Sequence, residues 1–312
     1  MASPTEKRIQ RFIQKERVQA GSLIVSLFGD AVYPRGGSVW LGCLIRLLAP
    51  LQVNERLIRT AIYRLVKDDW LQTHTHGRRT NYALSPSGTS RIAAASRHIY
   101  ADRSPEWDGQ WRLLMLSSEI TAKDKSQLQK ALRWQGFGMW QNLAFVHPGA
   151  DLPLAFELLQ REGLGHLQKA VWPLVASGLP LKGHLSDSEV VSQTWGLNEL
   201  AKSYQQFVTT YRPLVLEWQN RAFSDTDHQK EHAFLLRLLL IHDYRRLLLR
   251  DPLLPVDLLP SNWPGEAARD TCRRLYEHLR RPSETFLDDA MQLADGSQTK
   301  SLKFFRQRFQ KC

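Results

Sequence analysis

The spacing of apolar and polar residues changes character along the chain, and each change marks a block. Ser22 to Phe28 (SLIVSLF) is apolar enough for a buried helix. Gly36-Gly37 interrupts it, and Val39 to Leu48 (VWLGCLIRLL) predicts a second helix with Pro50 in the turn beyond. From Asn54 the period becomes cleanly helical. Leu57, Ile58, Ala61, Ile62, Leu65 and Val66 form an apolar stripe, while Arg56, Arg59, Thr60, Tyr63, Arg64 and Lys67 recur on the other side. Asn54 suits the N-cap, where its side chain accepts an orphan N–H, and Glu55 falls where the helix dipole favours an acid. Two β-compatible segments follow, Trp70 to His74 and Thr80 to Leu84. They flank the basic tip His76-Gly77-Arg78-Arg79, the pattern of a hairpin. A helix from about Thr89 to Tyr100 follows Ser85-Pro86-Ser87-Gly88.

The second block alternates strand and helix patterns. Trp111 to Leu116 predicts a strand, Lys123 to Trp134 an amphipathic helix and Met139 to His147 a second strand. Leu152 to Glu162 predicts a helix and Ala170 to Ser177 a third strand, so the block suits a small α+β sandwich. Residues 195–292 read as mostly helical, and the tail after Asp295 as polar, basic and frayed. Arg103-Ser104-Pro105-Glu106 and Gly183-His184-Leu185-Ser186-Asp187 are the boundary segments. The expected domains are therefore 20–102, 107–185 and 190–295.

Charge sharpens this picture. The chain of 312 residues has a formal net charge of +11. Residues 1–100 carry 15 Lys/Arg against 6 Asp/Glu, and the remaining 212 carry 27 against 25. A basic block with its own hydrophobic period is a folded module suited to a polyanion. The other reading of the charge alone is a merely soluble basic domain. Cys43, Cys272 and Cys312 are far apart and lack metal-ligand spacing, so neither a disulfide framework nor a structural zinc site is expected. No apolar run has a spanning length and the first twenty residues lack an export signal, so a cytoplasmic protein with no membrane partner is expected.

The helix from Asn54 carries the most specific chemistry. Ordinary solvated faces mix signs, with Glu placed to pair with Lys or Arg. Here the polar face reads as four cations and two hydroxyls without an acid, which favours double-stranded DNA over a plain surface. A hairpin directly after such a helix is the wing of a winged helix-turn-helix, and Arg78 and Arg79 at its tip are placed for phosphates or a minor groove. Asn54, Arg56, Arg59, Thr60, Tyr63, Arg64, Lys67, Arg78, Arg79 and Tyr82 make up the expected DNA-contact set. The first strand of the middle block leads into Ser117-Ser118-Glu119 without the acidic cluster that a metal nuclease needs. His228 and His232, at i and i+4, share a helix face, and His242 lies further along; the spacing admits a metal site, but capping or surface roles are the commoner use of such residues in a Leu-rich helix. No HExxH, GxSxG, P-loop or GxGxxG motif occurs, so neither a catalytic residue nor a cofactor is expected. Tyr244, Arg245, Arg246 and Arg250, with Trp263 beyond, have two readings. They are structural ties to acids such as Asp251 or Asp257, or a cationic and aromatic site for a coenzyme A ester.

Several segments together resemble the phenylacetic acid degradation repressor (PaaX-like) family. They are SLIVSLFGDAV, GGSVWLGCLIRLLAPL, NERLIRTAIYRLVKDDWL and GRRTNYALSPSG, then WDGQWRLLML, LRWQGFGMW and LLIHDYRRLLLRDPLLPVDLLPSNWPGEAAR. The resemblance is collinear over nearly the whole chain and weakens over about 150–235 and after 290. It implies an N-terminal winged helix, a middle ferredoxin-like (Cas2-like) α+β domain and a C-terminal helical domain. It implies a repressor of an aromatic (phenylacetate) degradation operon, released from operator DNA by phenylacetyl-CoA or a related aromatic acyl-CoA, and acting as a dimer. One winged helix reads only a few base pairs, which independently favours a homodimer, with the helical block as its contact. Two other classes stay open from sequence: an enzyme of acyl-CoA metabolism, and a nucleic-acid-processing or RNA-binding protein with a Cas2-like domain.

Overall fold

The computed structural model describes residues 2–14, 18–101, 105–177, 185–220, 226–302 and 308–309. In chain order its elements are α1(Pro4–Ile13), α2(Ala20–Leu27), β1(Ser38–Trp40), α3(Leu41–Leu48), α4(Glu55–Lys67), β2(Leu71–His76), β3(Arg79–Leu84) and α5(Pro86–Ile99). Then come β4(Gln110–Leu116), α6(Ala122–Arg133), β5(Gly138–Trp140), β6(Ala144–His147), α7(Leu152–Arg161) and β7(Val171–Ser177). Helices α8(Asp187–Thr194), α9(Leu197–Gln219), α10(Asp227–Leu248) and α11(Gly265–Ala290) complete the chain. Contacts divide it into two compact units: Met1–Asp102 with Gln205–Arg246 and Glu266–Cys312, and Arg103–Tyr204 with Leu247–Gly265. Of the boundary segments expected from sequence, Arg103, Ser104, Gly183 and His184 lie outside the described residues, as does Cys312.

In the first unit, α2, α3 and α4 pack their apolar faces together with β1, β2 and β3, and one core runs on into α10 and α11. Leu23, Leu44, Ile58, Leu239 and Leu287 are all sealed within it. The sheet order is β1-β3-β2, all antiparallel, with Val39 opposite Tyr82 and Thr73 opposite Tyr82 across the other edge. Here the expected helix from Val39 to Leu48 is corrected. Ser38-Val39-Trp40 is extended as an edge strand on β3, and the helix begins at Leu41. The β-branched and aromatic pair suits a pleated surface better than a helix start. A further element, α1, forms within the first twenty residues, where the sequence predicted no element. Ser3 and Glu6 close a capping box, and Ile9 and Phe12 bury one face.

The second unit contains a four-stranded antiparallel sheet of order β5-β6-β4-β7. Each strand–helix–strand connection skips one strand, which is the ferredoxin-like plan. One face packs on α6 and α7 through Leu114, Phe145, Leu128 and Leu159. Trp111, Ala144 and Val146 on the other face meet Val191, Trp195, Leu254 and Leu258. The single strand expected over Met139 to His147 is two strands. Gln141 and Asn142 both take left-handed backbone conformations (φ 46° and 60°) and reverse the chain between β5 and β6. No described helix is long and apolar enough to cross a membrane.

Candidate nucleic-acid interface

Helix α4 is fixed by its ends and its inner face. The Asn54 side chain accepts the Arg56 N–H at 2.7 Å, as an N-cap should. Ile58, Ala61, Ile62 and Leu65 are buried, which sets the rotation of the helix. That rotation exposes Arg56, Arg59, Thr60, Tyr63, Arg64 and Lys67 together, Tyr63 with 71% of its surface in solvent. Two details differ from the sequence reading. Leu57, counted in the apolar stripe, is exposed at the rim. Glu55, one turn below Arg59, reaches its guanidinium at 2.7 Å, so the polar face does contain one acid and Arg59 starts out paired. The Thr60 hydroxyl donates to the Arg56 carbonyl at 2.8 Å.

The wing forms as expected, with a two-residue turn, Gly77-Arg78, between paired His76 and Arg79. Arg78 is exposed in that turn. Arg79 is exposed too, but its guanidinium lies over the Trp40 ring, 4.7 Å from the centroid. A shallow groove between α4 and the wing is lined by Leu41, Arg59, Tyr63, Val66, Thr73 and Tyr82. Tyr82, half-buried, forms part of its floor.

The same unit holds a buried charge network that sequence reasoning missed. The helical stretch after α2 widens into one π-turn, Phe28–Val32, which carries Asp30 into the interior. One carboxylate oxygen of Asp30 accepts from Tyr100 at 2.7 Å, Tyr276 at 3.0 Å and Arg308 at 3.2 Å, and the other accepts from Arg237 Nε at 2.8 Å. Arg237, fully buried, also donates to Glu284 at 2.6 Å, and Arg35 meets Glu284 and Asp288, each at 2.7 Å. Burial alone would raise the Asp30 pKa, but Arg237, Arg308 and the two tyrosine hydroxyls outweigh it and hold the carboxyl below its usual range. The signals were present: a lone acid after SLIVSLFG and a lone arginine inside AFLLRLLLI. The expected frayed tail is thereby corrected. Arg308 and Phe309 are buried, with Arg308 donating to the Asp30 carboxylate and carbonyl, while 303–307 and 310–312 lie outside the described residues.

The five residues expected for an effector are not brought together within one unit. Tyr244, Arg245 and Arg246 belong to the first, Arg250 and Trp263 to the second. Tyr244 is buried against Phe207. Arg245 donates to the Ser26 hydroxyl at 3.1 Å and to the Ser22 hydroxyl and carbonyl at 2.7 and 3.0 Å, with no carboxylate within 4 Å among the described residues. Burial, and secondarily Arg246, lower its pKa to about 10. Arg246 and Arg250 are exposed, and Trp263 is half-buried with its ring edge-on to Tyr204. Among the described residues neither Arg246 nor Arg250 forms an ion pair with Asp251, whose carboxylate accepts from the Tyr204 hydroxyl and the Leu253 N–H. The His228 and His232 rings lie 3.9 Å apart on one face of α10.

Comparison with known proteins agrees with this architecture. Family profiles match in collinear order: PaaX-like protein over residues 19–88, PaaX protein central Cas2-like domain over 104–166, and PaaX-like protein C-terminal domain over 195–289. The chain is 36% identical over 304 residues to the transcriptional repressor PaaX of Escherichia coli (strain K12), covering 96% of this chain and 93% of that protein. The uncharacterized protein Rv0674 from Mycobacterium tuberculosis shares the fold, with a TM-score of 0.54 at 20% identity over 86% of this chain and 98% of its own. The homology is thus to a transcriptional repressor and not to an enzyme. With an N-terminal winged-helix domain, a central Cas2-like domain and a helical C-terminal domain in the family's order, the chain belongs to the PaaX-like family.

Proposed function

We propose that this protein is a cytoplasmic transcriptional repressor that binds an operator in double-stranded DNA as a homodimer. The observation that carries the reading is the outer face of α4. Arg56, Thr60, Tyr63, Arg64 and Lys67 stand exposed together on a rigidly capped and packed helix, with Arg78 at the wing tip beside it. A helix with that face fits the major groove, where arginine meets guanine edges and hydroxyls and apolar groups meet adenine and thymine. Asn54 is committed to its cap, Arg59 contacts DNA on leaving Glu55, and Arg79 and Tyr82 contribute from the wing.

The effector in this reading is phenylacetyl-CoA or a related aromatic acyl-CoA, which lowers DNA affinity. Arg245 supports a ligand rich in phosphate. It is a half-buried cation held by two serines, with no carboxylate within 4 Å among the described residues, and cations removed from water are ordinarily paired. Exposed Arg246 and Arg250 are separate candidates for the same chemistry, and Trp263 or Tyr244 for the aromatic ring. The test is a DNA-release titration with phenylacetyl-CoA, coenzyme A and free phenylacetate. Release by the ester alone, blunted in Arg245→Ala, Arg246→Ala or Arg250→Ala, supports the assignment. A tenfold loss of DNA affinity requires ~1.4 kcal/mol of coupling, and DNA must weaken ester binding by the same factor. Indifference of the parent to the ester removes the effector and leaves the DNA claim standing.

A further inference from the structure

We propose that Arg46 and Arg79, both stacked on the Trp40 indole, form a phosphate clamp that grips the DNA backbone beside the groove read by α4. This rests on the reading of the protein as a duplex-DNA binder. Arg46 lies on α3, which precedes α4, and Arg79 opens β3 in the wing, which follows it. The fold brings these cations, 33 positions apart in sequence, to one ring: their guanidinium carbons lie 5.4 and 4.7 Å from its centroid. Trp40 ends β1 and is followed by α3, whose first turn contains Gly42. A Cβ at residue 42 would fall 2.5 Å from the indole, so glycine is what lets the ring lie there.

Both guanidinium groups are further located by the turn after α11. Arg46 reaches the Gln292 side-chain oxygen at 3.4 Å and Arg79 the Ala294 carbonyl at 3.5 Å, both long bonds to neutral acceptors. That turn is itself docked on β1 and β3. The Trp40 N–H donates to the Gln292 carbonyl at 3.2 Å, and the Ala294 N–H to the Asn81 side chain at 2.7 Å. Among the described residues no carboxylate lies within 4 Å of either guanidinium; Asp295 in the same turn accepts from Ser297 instead. Both arginines are exposed.

Two exposed cations held without an acid are poised for an anion from outside. An arginine loose in solvent gives up side-chain entropy when it grips an oxygen, and one already laid on an aromatic face gives up less. The contact with the ring leaves, beyond the one long bond each arginine makes to Gln292 or Ala294, further N–H groups for phosphate oxygens. The groove lining supplies the placement. Leu41 follows Trp40 in the chain, and Tyr82 follows Asn81, the sheet partner of Trp40; both share the groove lining with Arg59 and Tyr63 of α4. The clamp therefore borders the surface proposed to read bases, and its ligand is the backbone phosphate flanking those bases.

The experiment measures anisotropy of a labelled random-sequence duplex of about 30 base pairs with the full chain, across a salt series. Parent, Arg46→Gln, Arg79→Gln, Arg46→Lys and Trp40→Leu are compared after thermal melts establish that each is folded. Each Arg→Gln change is expected to flatten the log–log salt slope by roughly 0.9 per phosphate lost. Arg46→Lys should keep the slope yet bind more weakly, because lysine retains the charge without the stacked fork. Trp40→Leu should likewise weaken binding with little change of slope; should it fail to fold, the two arginine series decide alone. Parent slopes and affinities in both Arg→Gln variants, with Lys67→Gln weakened, overturn the clamp while sparing the DNA reading. No duplex binding by the parent overturns both.

Discussion

At the scale of single residues, the chemistry turns on which charges are paired. Arg59 is held by Glu55 in an exposed pair one helical turn apart. Such pairs contribute only ~0.3–0.5 kcal/mol to stability, so Glu55→Gln should leave the melting curve nearly unchanged. It also removes a negative charge from the proposed DNA face. Tighter duplex binding at low salt, fading as salt is added, is the expected result, and unchanged affinity would place Arg59 off the interface. Asp30 behaves oppositely because it is sealed from water between Arg237 and Arg308. Asp30→Asn leaves buried guanidinium groups short of a counter-ion and should cost ~3–5 kcal/mol in denaturant titration. A loss below about 1 kcal/mol would show that Glu284 and the carbonyls suffice. His147 gives a pH signature. Burial lowers its pKa to about 4 although the Pro252 carbonyl favours the charged form, and its Nδ1 accepts the Gly149 N–H at 2.9 Å. The unfolded ring titrates near ~6.5, so the folded chain binds fewer protons between those values. The stability that His147 contributes is complete above about pH 6.5 and is lost as pH falls toward 4. Denaturant midpoints across that window should decline, and less steeply in His147→Gln. Equal slopes would mean that His147 is not the group responsible.

At the scale of elements, one small residue sets how closely α5 approaches the turn after α4. Ser85 caps α5 by accepting the Gly88 N–H at 2.8 Å, and its hydroxyl donates to the Asp69 carbonyl at 2.7 Å. A Cβ at Gly88 would lie 2.1 Å from the Trp70 carbonyl oxygen, a backbone atom that cannot swing aside. Gly88→Ala should therefore destabilise the fold by ~1–3 kcal/mol, seen as a lower Tm, and a neutral result would mean that α5 shifts freely. Much at this scale was legible in the sequence. The stripe through Ile58, Ala61, Ile62 and Leu65, the Asn54 cap and the wing turn were readable because each is a local signal in one short segment. What was illegible depended on partners far away. Val39 and Trp40 became a strand because β3 offered an edge, and α1 forms where its buried Arg8 finds Asp243 at 2.6 Å and Tyr211 at 2.9 Å. The turn at Gln141-Asn142 was a local signal, overridden in the reading by the apolar residues around it.

At the scale of the whole molecule, the family's N-terminal and C-terminal domains do not keep separate cores. Phe234, Leu235 and Leu239 of α10 and Leu287 of α11 are buried with α2, α3 and α4, and the Asp30 network runs through the same unit. Hydropathy could set the three blocks apart but could not show that the first and third share an interior, since burial between distant segments leaves no period in either. The proposed homodimer would let two winged helices read two half-sites, and sedimentation should give two chains per operator; a single chain per operator would refute it. The central claim is that the exposed face of α4 reads duplex DNA. The most direct measurement selects binding sites from a random duplex pool with the full chain. It then compares parent, Arg56→Ala and Arg64→Ala on the enriched site. The account predicts enrichment of a defined duplex, with each variant losing ~1–3 kcal/mol on it and relaxing the base preference at its own position. Absence of enrichment, or selection of the same site at parental affinity by both variants, would contradict it.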